Sequence, residues 1–201
     1  QETLERVFRE YGLSERIRTD NGVPFASTGR GGLSQLSIWW LRLGIIPERI
    51  EPGRPDQNGR HERMHRTLKS TLPNPPAVAW ESQQKHFDRF IQHYNYERGH
   101  EALSQKTPAS CYSPSPRAYP EKLPEMGYAS HIECYRADSN GMIYRSGLRI
   151  YVGNVLKYQT IGLEMLSDDV WAVIFGPVIL GQMDARNADK DGYISLKVLP
   201  M

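Results

Sequence analysis

Apolar residues recur at helical spacing at the start of the chain. Leu4, Val7, Phe8 and Tyr11 share one face before Gly12, which predicts an amphipathic helix stopped by glycine. Arg16-Ile17-Arg18-Thr19 reads as a short strand ending at Asp20-Asn21-Gly22, a strong turn signal. Residues 26–34 are small and glycine-rich. A second helix is predicted from Leu33 to Leu43, with one of Trp39 and Trp40 in the core and the other half-buried. Gly44 ends it, and Ile45 to Ile50 reads as a strand. After a loop over Pro52 to Pro55, a third helix is expected from Gln57 to Leu72. Beyond Pro73-Asn74-Pro75-Pro76, Phe87, Phe90, Ile91 and Tyr94 line one face of a long helix over Trp80 to Arg98. Strands alternating with helices predict an α/β layer architecture.

The texture then changes. Pro108, Pro114, Pro116, Pro120 and Pro124 mark a linker. Short β-like runs follow at Ser130 to Tyr135, Met142 to Tyr144, Leu148 to Val152, Gly162 to Leu166, Val170 to Phe175, Val178 to Met183 and Tyr193 to Val198. Asn140-Gly141 and Asp191-Gly192 are hairpin signals. The expected organisation is an α/β domain over residues 1–110, a proline-rich linker over 111–127 and a small all-β barrel over 128–201.

Composition narrows the class. The 201 residues are 39% hydrophobic, enough for a core, and no apolar run approaches a membrane span. Cys111 and Cys134 are too few for a disulfide framework, so a reducing cytoplasm is expected. The net charge of +2 hides an uneven distribution: Arg54, Arg60, Arg63, Arg66 and Lys69 crowd residues 54–69 against only Asp56 and Glu62. Such a patch suits a polyanion, though a solvated helix face would also produce it.

Glu62 is the informative residue in that patch. On a helix it shares a face with Arg66 at i+4 and Lys69 at i+7, which joins a metal-binding carboxylate to two phosphate-binding cations. Asp20, at a strand end where open α/β sheets place ligands, is the second carboxylate. Hard oxygen donors of this kind suit Mg²⁺ or Mn²⁺ and in-line phosphoryl transfer. On the residues alone, Asp-Asn-Gly also reads as a plain turn and Glu62 as an ion-pair partner. His61-Glu62-Arg63-Met64-His65 fits the zinc-hydrolase pattern H-E-x-x-H, but the extended pattern fails at Leu68 and Thr71. Asn187 to Val198 imitates a calcium loop, with Val198 where the bidentate Glu belongs, and reads better as a polar turn.

Three ordered motifs carry a resemblance. Arg18-Thr19-Asp20-Asn21-Gly22-Val23-Pro24-Phe25-Ala26-Ser27 resembles the segment around the second catalytic Asp of DDE-type insertion-sequence transposases and retroviral-type integrases. Pro55 with Asn58-Gly59, Glu62-Arg63 and Arg66-Thr67-Leu68-Lys69 resembles the segment around their catalytic Glu. Tyr94 to Leu103 with Thr107-Pro108-Ala109 resembles the motif closing that core, with Gly99 in place of the usual Pro. The resemblance implies a ribonuclease H-like core and DNA cleavage and strand transfer with Mg²⁺ or Mn²⁺. It makes Asp20 and Glu62 catalytic metal ligands and Arg54, Asn58, Arg66 and Lys69 DNA-binding residues. It implies DNA element ends and target as partners, a homo-oligomer, and a bacterial cytoplasmic setting at the nucleoid. Nothing before Gln1 can supply the family's first Asp, so the chain reads as the C-terminal portion of the core, active only with an upstream segment. The alternatives are a non-catalytic DNA-binding remnant and, third, the zinc hydrolase. The 41 residues between Asp20 and Glu62 exceed the roughly 35 common in the family, and the surplus is assigned to a mobile loop over Ser27 to Gly32.

Overall fold

The computed structural model describes residues 1–20, 22–25, 27–51 and 53–197. Helices and several sheets give a mixed α/β chain in two compact units. One joins residues 1–49 to the described residues from Arg117 onward, and the other is Ile50–Pro116.

The first unit opens with α1 (Glu2–Tyr11), which buries Phe8. Strand β1 (Arg16–Thr19) pairs in parallel with β2 (Ile46–Arg49), Ile17 opposite Pro47. Glu48 ties the pair from the solvent side, at 2.9 Å from Arg16 and 3.1 Å from Arg18. These guanidiniums hold the Glu48 carboxyl below its ordinary range. Between the strands runs α2 (Gln35–Arg42), started by a capping box of Ser34 and Ser37.

Helix α2 serves two cores. Trp39 and Trp40 join Phe8, Leu13, Leu43 and Ile45 in one cluster. Both tryptophans are buried, at 5% and 1% exposure, so the expected half-buried partner is in fact a second core residue. Ile38 and Leu41, with Leu33, join the other cluster, which is otherwise built by the β-rich tail.

That tail forms two sheets over one core. β3 (Glu133–Arg136), β6 (Thr160–Ser167), β7 (Val170–Phe175) and β8 (Val178–Asp184) make an antiparallel sheet in the order β3-β6-β7-β8. β4 (Met142–Arg145), β5 (Leu148–Tyr151) and β9 (Tyr193–Ile194) make the second, with β9 parallel to β5. Ile143, Ile150, Leu163, Val173 and Phe175 are wholly buried between them. The last strand was expected to run to Val198, which lies outside the described residues.

Two stretches expected to be slack are pinned. In the glycine-rich segment, Arg30 donates to the Leu196 carbonyl at 3.3 Å, and Arg49 donates to the Gly32 carbonyl. Gly31 packs against Val178 and Leu180 of β8 at a φ of +60°. The part of the proline-rich segment from Arg117 onward is tied down within the first unit. Arg117 donates to the carbonyls of Ser14, Leu43 and Gly44 at 3.1, 2.7 and 3.0 Å. Arg42 donates to those of Pro124 and Leu123 at 2.8 and 3.2 Å. Prolines remove backbone donors but leave acceptors, and Arg42 takes up two of these, at Leu123 and Pro124.

The second unit is leaner. It holds α3 (Gly59–Thr71), α4 (Trp80–Gln92), a π-helical turn over His93–Glu97 and short α5 (Pro108–Cys111). Among its described residues only the hydrophobic side chain of Phe90 is buried. The expected helix to Arg98 therefore changes hydrogen-bond pattern at His93. The wider turn brings Tyr94 against Phe90, with ring centroids 5.2 Å apart, and against His100, at 4.6 Å. Cys111 and Cys134 are free and exposed. Among the described residues no helix is long and apolar enough to cross a membrane.

Candidate nucleic-acid interface

Helix α3 carries most of the residues singled out by sequence, and none of its residues is buried. A 3-10 turn over Pro55–Asn58 leads into it, with Asn58 at the N-cap position but no capping bond from its side chain. Gly59 then begins the helix. Thr67 and Thr71 return their hydroxyls to the Arg63 and Thr67 carbonyls at 3.1 and 2.8 Å, so they offer the exterior little polarity of their own. What remains outward is charge.

Glu62, Arg66 and Lys69 lie on one exposed stripe. Glu followed by Arg at i+4 is a favourable pairing geometry, yet Glu62 makes no ion pair among the described residues. The plain ion-pair reading of Glu62 is thereby not what the structure contains. Its carboxylate oxygens, and the cations of Arg66 and Lys69, face solvent.

Asp20 follows directly on β1 and is exposed. Its Oδ1 accepts the Gly22 amide at 3.0 Å, a local turn bond. Asn21 lies outside the described residues. Asp20 belongs to the first unit and Glu62 to the second. Each supplies hard carboxylate oxygens, the donor chemistry that Mg²⁺ and Mn²⁺ take. Among the described residues no group of three or more His, Cys, Asp or Glu is gathered to hold a metal.

Arg54 is otherwise engaged. Its guanidinium meets Asp56 in a two-point contact at 2.9 and 3.0 Å and lies 3.7 Å from Glu51. Pairing lowers the Asp56 carboxyl and raises the Arg54 guanidinium relative to their ordinary values. A phosphate reaching Arg54 must displace Asp56. His61 and His65 meet each other, Nε2 to Nε2 at 3.0 Å, and no third donor joins them among the described residues.

Sequence reasoning missed the other side of α3. Arg60 and Arg63, at i and i+3, look into a cavity of about 670 Å³ closed by Tyr94, Arg98, His100 and Glu101. The π turn makes this hollow, together with Gly99. A Cβ at Gly99 would lie 2.7 Å from the Gln105 carbonyl oxygen, so the local path excludes a side chain there. The Arg60/Arg63 spacing was the one signal in the sequence.

Comparison with known proteins gives this geometry a setting. Residues 43–108 match the model of the integrase core domain family, so Glu62, α3, α4 and the π turn lie inside the match and Asp20 outside it. The Gag-Pol polyprotein of baboon endogenous virus (strain M7) is 39% identical over 69 residues, 34% of this chain and 4% of that polyprotein. The Pol polyprotein of feline endogenous virus ECE1 is also 39% identical over 69 residues, 34% of this chain and 6% of the relative. That of radiation murine leukemia virus (strain Kaplan) is 36% identical over 69 residues and 11% of its length. The matched stretch is thus a small fraction of these relatives. A cryoEM structure of the simian T-cell lymphotropic virus intasome with PP2A regulatory subunit B56 gamma superposes at a TM-score of 0.44. It has 20% identity over 89% of this chain and 61% of that one, too loose to assign a fold. Over residues 43–108, with Glu62 inside the span, the chain carries an integrase-like catalytic core segment.

Proposed function

We propose that this chain is part of an enzyme of DNA transposition or integration that cleaves and joins DNA by metal-dependent phosphoryl transfer. The carrying observation is Glu62. It sits within the integrase core match, exposed and without an ion pair among the described residues, on a helix whose same face offers Arg66 and Lys69. In this reading Asp20 and Glu62 are the carboxylates that would hold Mg²⁺ or Mn²⁺. The ion would supply charge stabilisation at the phosphate and acidify the attacking oxygen's proton. Arg66 and Lys69 bind the strand's phosphates and orient the scissile bond against Glu62. The Asn58 amide, with no capping bond to satisfy, hydrogen-bonds the strand where the helix begins, and Arg54 joins by exchanging Asp56 for phosphate.

The proposal extends to the architecture. A ribonuclease H-like core runs to about residue 110, and the β-rich tail after residue 127 is a small barrel that binds DNA or further copies of the chain. The substrates are element ends and target DNA, in an insertion-sequence or retroviral-type element, with a homo-oligomer acting at the bacterial nucleoid.

Glu62→Gln tests it. With Mg²⁺, cleavage and joining of element-end DNA should vanish while melting temperature and DNA affinity stay as in the wild type. Retained cleavage by the variant would overturn the role of Glu62. A second reading, a DNA-binding remnant without catalysis, rests on the exposed basic face of α3 alone, Arg66 and Lys69. It predicts salt-dependent binding and no cleavage by the wild-type chain with any divalent ion. Binding indifferent to salt would remove both readings.

A further inference from the structure

The cavity behind α3 gathers three guanidiniums around one hollow. Several arginines elsewhere meet carboxylates: Arg9 with Glu5, Arg16 and Arg18 with Glu48, Arg145 with Glu133, Arg186 with Asp184; others, Arg42 and Arg117 among them, donate to backbone carbonyls. Arg60, Arg63 and Arg98 line one hollow, and none of them makes an ion pair among the described residues. Glu101 lines the same hollow without pairing with any of them. Arg98 rests over the Tyr94 ring at 6.0 Å, which positions it without neutralising it. With Glu101 the one carboxylate among the lining residues, three guanidiniums leave the concavity net positive, a setting that favours an anion.

The walls are also held in place. Tyr94 is fixed between Phe90 and His100, and His100 Nε2 lies 3.1 Å from the Tyr94 carbonyl oxygen, which can accept its proton. The opening of about 670 Å³ falls within the roughly 300–1,000 Å³ typical of small-molecule pockets, ample for a phosphodiester group with its sugar. Arginine, with its planar fork of donors, is the side chain suited to phosphate.

We propose that Arg60, Arg63 and Arg98 form a phosphodiester-binding pocket that grips a nucleic-acid strand on the side of α3 away from Glu62. The identity of the anion rests on the nucleic-acid reading above; the pocket's call for an anion rests on its own charges. With Arg66 and Lys69 on the other face, α3 lies between two phosphate contacts, one at the proposed chemistry and one behind it. An acidic peptide is the competing occupant. Nucleic acid is favoured because both faces of the helix are basic.

The test is fluorescence anisotropy of a short labelled DNA duplex, titrated with the full chain at several salt concentrations. The wild type is compared with Arg60→Gln/Arg63→Gln/Arg98→Gln and with Arg66→Gln/Lys69→Gln. Circular dichroism reports folding, and the single variant Arg98→Gln, outside α3, replaces the triple variant if that one unfolds. The triple variant should lose on the order of tenfold in affinity, and its log–log salt slope should fall by about 1 to 2. Arg98→Gln alone should show the same changes in smaller measure. Poly-glutamate should compete far less well than unlabelled duplex. Unchanged affinity in a folded pocket variant, alongside a loss in Arg66→Gln/Lys69→Gln, overturns the pocket and leaves the proposed function standing. Competition by poly-glutamate as strong as by duplex overturns it in favour of an acidic protein partner. Salt-insensitive binding by the wild type overturns both proposals.

Discussion

Gly31 shows how much can depend on one missing side chain. Its φ of +60° suits glycine, and a Cβ there would stand 2.9 Å from Val178 Cγ1 and 3.2 Å from Leu180 Cδ2. Backbone strain and overpacking then act together. Gly31→Ala should destabilise the protein by about 1–2 kcal/mol, seen as a lower urea midpoint at unchanged slope. An unshifted midpoint would mean that the turn is not seated on β8. The sequence marked this stretch only as glycine-rich, because small residues read alike in a loose loop and in a tight dock. What distinguishes them is β8, about 150 residues later.

At the scale of elements, the two sheets of the tail are joined by a clamp. Glu133 on β3 accepts from Arg145 on β4 at 2.8 and 3.0 Å and from the Tyr135 hydroxyl at 2.7 Å. Arg145 in turn covers the Trp171 ring at 4.1 Å from its centroid. These donors, Arg145 foremost, hold the Glu133 carboxyl down at about 2, against an ordinary value of 4.5. A depressed carboxyl contributes stability that is fully present above its unfolded value and is lost as pH falls toward the folded one. Stability should therefore fall as pH is lowered from about 4.5 toward 2, and Glu133→Gln should flatten that slope. Because Glu133 is 37% exposed, screening leaves an effect on the order of 1 kcal/mol. Denaturant melts of both proteins across that pH range would check it, and parallel curves would refute it.

Elements also mark where sequence reading stopped. Helices α1 and α2 and the start of α4 followed from apolar spacing, since each buries one stripe or two. The π turn did not, because residues 93–97 keep a helical composition and only the later stacking of Tyr94 on His100 selects the wider turn. Asn140-Gly141 does reverse the chain, with Asp138 accepting the Asn140 and Met142 amides at 2.8 and 2.9 Å. Yet β3 and β4 on either side pair with other strands, since a turn signal says where the chain bends and not which strand it meets. The true β4–β5 hairpin turns at Ser146-Gly147, both at positive φ, where the sequence signal was overlooked.

For the whole molecule, chain order and packing disagree. The tail begins after residue 127 in sequence, but Leu33, Ile38 and Leu41, at 1%, 3% and 5% exposure, complete its core. Residues 128–201 expressed alone should lack a cooperative thermal transition, and adding residues 1–127 in trans should restore one. A sharp transition in the isolated tail would show that these three residues are dispensable. The candidate site was legible as individual residues: Asp20 at a strand end, Glu62 on an exposed helix, Arg66 and Lys69 beside it. The pocket of Arg60, Arg63 and Arg98 was not, because Arg98 joins the other two only through the π turn.

The sharing of α2 between two cores bears on how mutations in this protein would be classified. One side of the helix packs near β1, the strand that ends at Asp20, and the other closes the tail. A lesion at Phe175 or Val173 would loosen the wall that supports that strand. In a genetic screen, and on the role proposed for Asp20, tail truncations would then fall in the same phenotypic class as losses of Asp20, and they would not complement as a separable module.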